Sequence, residues 1–172
     1  MQIPKFAITD ENKDFLIIIG KKEIQDVSPV FAEMLKSGMK EEIENKMIIV
    51  DFDFEIVEAA INIFYGEKVL KEFSLEDALS LYRFGDKYLC SYIMGLVEGT
   101  LIKHISPTNV VQLIKFSSPV SLNIKGLYQR CIDSLIIYFK NSTPVFGSES
   151  LDEKFLGKIF SLIYVMNLII AK

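Results

Sequence analysis

The hydrophobic positions follow two different periods along the chain. Phe15-Leu-Ile-Ile-Ile19 is a short apolar run rich in β-branched residues. Its length and lack of polar alternation predict a strand covered on both faces. Gly20 and Lys21 follow as a turn, and Glu23-Ile-Gln25 gives a second short segment, so a hairpin is expected. Ser28-Pro29 then opens a helix: Ser is a favoured N-cap, and Pro fits the first helical position, where its missing N–H costs nothing. Phe31, Met34 and Leu35 have helical spacing, and Gly38 can close the end in the left-handed conformation. After the polar stretch Lys40 to Lys46, Met47-Ile-Ile-Val50 reads as another strand.

From there the helical period takes over. Asp53 is placed to cap a helix from about Phe54 to Phe64, with Val57, Ala60, Ile61 and Phe64 as its apolar stripe. Ser74-Leu-Glu-Asp77 resembles a capping box and begins a helix through Leu81 and Phe84. Leu89 to Ile102 forms a further helix, and Ser106-Pro107 starts the next, carrying Val110, Val111, Leu113 and Ile114. Pro119 breaks the pattern and Leu122 to Tyr138 resumes it. Asn141 to Ser150 is a Ser-, Pro- and Gly-containing loop, and Phe155 onward is helical. Short strands interleaved with helices, then helices alone, imply an α+β domain followed by an all-helical extension, with the boundary between Lys103 and Ser106. The run Ile159 to Ala171 is shorter than the about 20 apolar residues a bilayer span needs. It is expected as a core-facing or docking helix, a marginal tail anchor being the alternative.

Composition narrows the chemistry. The 172 residues are 50% hydrophobic and 24% charged, which is ample for a core and argues against disorder. A net charge of −4 is a poor match to a nucleic-acid backbone, so no nucleic-acid or membrane partner is expected. The aromatic residues fall at core spacing and are not interleaved with Arg. No secretory leader is read in Met1 to Asp14, so a cytoplasmic or nuclear location is expected, with Cys90 and Cys131 reduced.

No catalytic, cofactor or metal motif emerges, and none is expected. Neither G-x-G-x-x-G nor G-x-x-x-x-G-K occurs, and C-x-x-C and H-E-x-x-H are also missing from the sequence. Asp51 and Asp53 flank Phe52, a pair that could bind a metal, but they are read as a strand end and a helix N-cap. Glu41, Glu42 and Glu44 read as a solvated face. His104 is the single histidine and sits at a helix junction, so no nucleophile–base pair is evident and an enzyme is not expected.

Several segments together resemble a BTB/POZ domain. They are Asp14-Phe-Leu-Ile-Ile-Ile-Gly20, Ser28-Pro-Val-Phe31, Ile48-Ile-Val50 followed by Asp53, and Ile63-Phe-Tyr-Gly66. Gly85-Asp-Lys-Tyr-Leu89 is similar to the family's A-D-K-Y-x-L phrase, with Gly for Ala. Ile105-Ser-Pro-Thr-Asn-Val110 resembles the first helix after the BTB fold in MATH-BTB adaptors. The resemblance implies a BTB/POZ domain over residues 5–103 and a BACK-like helical extension over 104–172.

What the resemblance implies about function is protein docking. Many members dimerise, and many bind a cullin scaffold as substrate adaptors of cullin-RING ubiquitin ligases. Their cullin contact is a hydrophobic residue, any residue, then Glu, just after the helix that Ser-Pro-Val-Phe begins. Here that is Met39, Lys40 and Glu41. Phe15, Ile17, Val30 and Met34 are the corresponding dimer-interface candidates. The implied partners are a cullin, other BTB chains as homo- or heterodimers, and a substrate protein. The alternative is a self- or hetero-association scaffold with no ligase role.

Two departures bear on this. The family places the rest of a strand and most of a helix between the first hairpin and Ser-Pro-Val-Phe, whereas here Gln25 is followed at once by Asp26-Val27-Ser28. That missing segment helps form the dimer face, so an exposed apolar patch or a rearranged fold is expected. No MATH, Kelch or zinc-finger segment is read in these residues, which leaves substrate capture to the helical extension or a partner chain.

Overall fold

Phe15–Ile18 (β1) pairs antiparallel with Lys46–Ile49 (β2), in a register that sets Phe15 opposite Ile49 and Ile17 opposite Met47. The two apolar runs recognised in the sequence therefore hydrogen-bond to each other. The second arm of the expected hairpin, Glu23 to Gln25, lies outside the described residues. The computed structural model describes residues 15–18, 28–34, 36, 38, 43, 46–66 and 73–170, with backbone alone at 15–18, 46–48 and 168–170.

Seven α-helices follow among the described residues: Pro29–Met34 (α1), Phe54–Phe64 (α2), Leu75–Lys87 (α3), Ser91–Lys103 (α4), Val110–Ser117 (α5), Lys125–Lys140 (α6) and Glu153–Ile170 (α7). A short 3-10 turn, Ser148–Ser150, precedes the last. The described chain is thus mostly helical, with the β1–β2 ladder as its sheet content. It divides into two compact units, Met1–Val97 and Glu98–Lys172.

In the first unit, α2 packs against α3. The stripe expected on α2 is broader than four residues: Ile56, Ala59 and Ile63 are buried alongside Val57, Ala60 and Ile61, while Phe64 is half-buried. A helix apolar on most of its circumference is one enclosed by its neighbours. Asp53 occupies the N-cap position with extended backbone but makes no side-chain cap bond. Ser74 does: its Oγ accepts the Asp77 N–H at 3.1 Å, and the Asp77 carboxylate accepts the Ser74 N–H at 3.1 Å, completing the capping box.

The junction between α3 and α4 is sharper than the sequence suggested. Leu89 adopts φ +52, and the Cys90 N–H donates to the Gly85 carbonyl at 2.7 Å, which ends α3 and turns the chain into α4 at Ser91. Gly85 makes room for this turn, since a Cβ there would lie 2.9 Å from Met94 Cγ.

In the second unit, α5 packs on α6 and α6 on α7 around buried Val110, Leu113, Leu127, Cys131 and Leu135. The helix expected to start at Ser106-Pro107 begins at Val110 instead. The Asn109 side chain accounts for the delay: its Oδ1 accepts the Ser106 N–H at 2.8 Å and its Nδ2 donates to the His104 carbonyl at 2.9 Å. That folds residues 106–109 into a turn before the helix starts.

Candidate functional site

α1 has six residues, too few to be stable by itself. Its position comes from both ends of Ser28. The Ser28 Oγ accepts the Phe31 N–H at 3.1 Å as a cap, and its own hydroxyl donates to the Tyr88 carbonyl at 2.5 Å. Phe31 is 1% exposed, its ring 4.5 Å from Tyr88 and 6.3 Å from Phe84. Phe52 meets Phe84 edge-on at 5.3 Å. Lys87 ion-pairs with Asp51, and its ammonium also lies 5.9 Å above the Phe52 ring and 5.4 Å above Tyr88. Burial raises the Tyr88 phenol above its ordinary value, with Cys90 adding to the effect. The result is a short helix fixed by an aromatic cluster rather than by its own propensity.

On that helix Val30 and Met34 are half-buried and share one face, a turn apart. Phe15 and Ile17 are alternate residues of β1 and so lie on one face of the ladder. Gly38 has φ +69, the left-handed turn expected after the helix. Met39, Lys40 and Glu41 lie outside the described residues, so the structure neither assembles nor separates that set.

Of the chemical candidates, Glu41, Glu42 and Glu44 lie outside the described residues. Asp51 is held by Lys87, and no group of three His, Cys, Asp or Glu suited to a metal occurs among the described residues. His104 is exposed, and its Nδ1–H donates to the Thr100 carbonyl at 2.8 Å. Cys90 and Cys131 are free thiols with no solvent exposure. Burial pushes Cys90 up to about 11, with the Ser28 hydroxyl partly offsetting it, and pushes Cys131 up to about 12. Such thiols are inert at neutral pH.

The second unit offers two surface features, the first of which the sequence did not single out. A depression of about 260 Å³ is lined by Val111, Gln112, Lys115, Phe146 and Ser150. Lys115 already donates to Ser150 Oγ at 2.8 Å across it, and Phe146 stands 77% exposed at its edge. The other feature is α7. Ile159 is buried and Phe160 stacks on Phe139 of α6 at 5.5 Å, yet Phe160, Leu162, Tyr164, Val165 and Met166 are all exposed. The run expected as a core-facing or docking helix therefore packs on one side, and its remaining surface mixes these apolar side chains with exposed Ser161 and Asn167. No helix among the described residues is long and apolar enough to cross a membrane.

The family model of the BTB/POZ domain matches residues 21–105, ending in the turn between α4 and α5. No curated protein matches the chain. BTB domains are in general interaction modules, mediating self-association and binding to other proteins, rather than enzymes.

Proposed function

We propose, from the BTB/POZ domain carried at residues 21–105, that this chain is an adaptor that docks a cullin scaffold and presents a further protein for ubiquitination. The family match is the observation that carries the reading. Support comes from the order of the elements leading to the motif: α1 ends at Met34, Gly38 turns the chain left-handed, and Met39-Lys40-Glu41 follows at once. In the proposed contact Met39 enters an apolar pocket of the cullin, worth about 1.5–3 kcal/mol when fully buried. Glu41 accepts charge-assisted hydrogen bonds. The α+β architecture of the family, the BACK-like nature of residues 104–172, a MATH-BTB kinship and a cytoplasmic or nuclear location belong to the same proposal. So does pairing with other BTB chains through Phe15, Ile17, Val30 and Met34.

Titration calorimetry of the whole chain against the N-terminal region of a cullin tests this directly. Binding is expected, with a tenfold or greater loss in the Met39→Asp, Glu41→Ala double variant. Equal affinity of the double variant would remove the assigned contact, and no binding by the unaltered chain would remove the adaptor role.

A further inference from the structure

We propose that Ser150 is a phosphorylation site for an acid-directed serine kinase, and that Lys115 of α5 holds the phosphate added there. Ser150 closes the 3-10 turn before α7 and is exposed. Its Oγ donates to the Gly147 carbonyl at 2.6 Å and accepts from the Lys115 ammonium at 2.8 Å. An acceptor hydroxyl and a cation suited to its product therefore already stand together. The turn does not depend on the hydroxyl, because the Ser150 N–H also donates to the Gly147 carbonyl, at 3.0 Å. The depression of about 260 Å³ beside it, lined in addition by Thr108 and Gln112, has room for a phosphoryl group.

The flanking sequence points to the class of enzyme. An acid-directed kinase reads carboxylates two and three residues past the acceptor through a basic groove. Ser150 is followed by Leu151, Asp152 and Glu153. Among the serines and threonines of the chain, Ser74 is the one other with an acid three positions on, in Ser74-Leu-Glu-Asp77. The structure separates the two. Glu76 and Asp77 lie in the first turn of α3, and the Ser74 hydroxyl donates to the Asp77 carboxylate at 2.7 Å within the capping box. Presenting Ser74 in extended form means unwinding that turn, and a phosphate there, of charge about −1.5 to −2, would face a carboxylate. At Ser150 the next residue, Leu151, is already extended, Asp152 precedes α7, and Glu153 is the first residue of that helix. Presentation asks only the tip of α7 to yield, and the product faces an ammonium. In the reaction the Ser150 Oγ bonds to the γ-phosphorus of ATP as the bond to the ADP oxygen breaks, and the hydroxyl proton passes to the base of the kinase.

The whole chain incubated with casein kinase 2 and magnesium ATP tests the site. Intact mass should show one added phosphate, and fragmentation should place it on Ser150. Ser150→Ala should abolish the label and Ser74→Ala should retain it, with circular dichroism unchanged in both. No label on the native chain, or a label on Ser74 or elsewhere in place of Ser150, would overturn the site. Phosphorus NMR then reads the role of Lys115. A phosphoserine takes up its second proton near pH 6, and a neighbouring cation lowers that value by favouring the dianion. Glu149, Asp152 and Glu153 act in the opposite direction, equally in every variant compared. Lys115→Ala should leave the label in place and raise the midpoint by about half a pH unit, and Lys115→Arg should restore it. A midpoint unmoved by Lys115→Ala would overturn the pairing.

Discussion

Ser28 and Tyr88, sixty positions apart in sequence, are tied by a buried hydrogen bond in which the Ser28 hydroxyl donates to the Tyr88 carbonyl at 2.5 Å. The same oxygen caps α1 through the Phe31 N–H. One atom therefore fixes both the start of α1 and its attachment to the end of α3. In Ser28→Ala the helix loses its cap and the Tyr88 carbonyl loses its strong donor inside the core. The expected destabilisation is about 2–3 kcal/mol, read as a shift of the urea midpoint at constant slope. Ser28→Thr, which keeps the hydroxyl, should lose much less. A loss below about 0.5 kcal/mol in the Ala variant, the range of an ordinary surface change, would mean that α1 is held by Phe31 alone.

Leu89 sits at the left-handed position that ends α3, with φ +52 and its side chain 55% exposed. Left-handed backbone costs a non-glycine residue about 1–2 kcal/mol, and half-exposed Leu recovers little of that by packing. Leu89→Gly should therefore stabilise the chain, by about 0.5–1 kcal/mol after its greater unfolded entropy is counted. Thermal unfolding gives the answer, and a lower midpoint would show that the Leu89 side chain packs more strongly than its exposure implies.

Local signals were readable in the sequence and distant ones were not. Ser74 and Asp77 are three residues apart and form the capping box anticipated from their spacing. Ser28-Pro29 likewise opens α1, because a cap needs only its own next turn. The bond from Ser28 to Tyr88 carries no such signature, since either residue would look the same with a different partner. Asn109 delayed α5 by competing for Ser106 and His104, a choice set by side-chain geometry that hydrophobic period does not encode. On α7 the apolar run was evident, but its exposure depends on what α6 leaves uncovered. The BTB resemblance was legible because it rests on an ordered series of short segments, and the family match covers residues 21–105 of that series.

Cys90 and Cys131 give the fold a specific response to alkali. In the unfolded chain both thiols ionise near 9.0; folded, burial holds them to about 11 and about 12. Above pH 9 the unfolded state releases these protons while the folded state keeps them. Stability is therefore unaffected by the pair below about pH 9 and falls as pH rises from there toward 12. The urea midpoint of the unaltered chain should drop more steeply over that window than that of a Cys90→Ala, Cys131→Ala variant. Parallel slopes would mean that water reaches the thiols, and rapid alkylation of the native chain at pH 8 would say the same.

Glu98 supplies the cap that α6 lacks locally. The residue before α6 is Ile124, which makes no side-chain cap bond, and the Glu98 carboxylate of α4 instead accepts the Leu127 N–H at 3.1 Å. A carboxylate also suits the positive end of the helix. Gly126 leaves room for it, because a Cβ there would lie 2.5 Å from Glu98 Oε1. Two opposed effects meet in Gly126→Ala. Ala favours the helix by up to about 1 kcal/mol, but it must push the carboxylate off the Leu127 N–H, a charge-assisted bond worth about 1.5–3 kcal/mol. The second effect is larger, so Gly126→Ala should destabilise the unaltered chain. In a Glu98→Ala background the bond is already gone and the clash with it, so the same substitution should stabilise. A double-mutant cycle measured by urea unfolding should show this reversal of sign, with a coupling of about 1–3 kcal/mol. Additive effects would mean that the carboxylate finds an equivalent position beside the added methyl group, and that Gly126 is not kept small for the sake of Glu98.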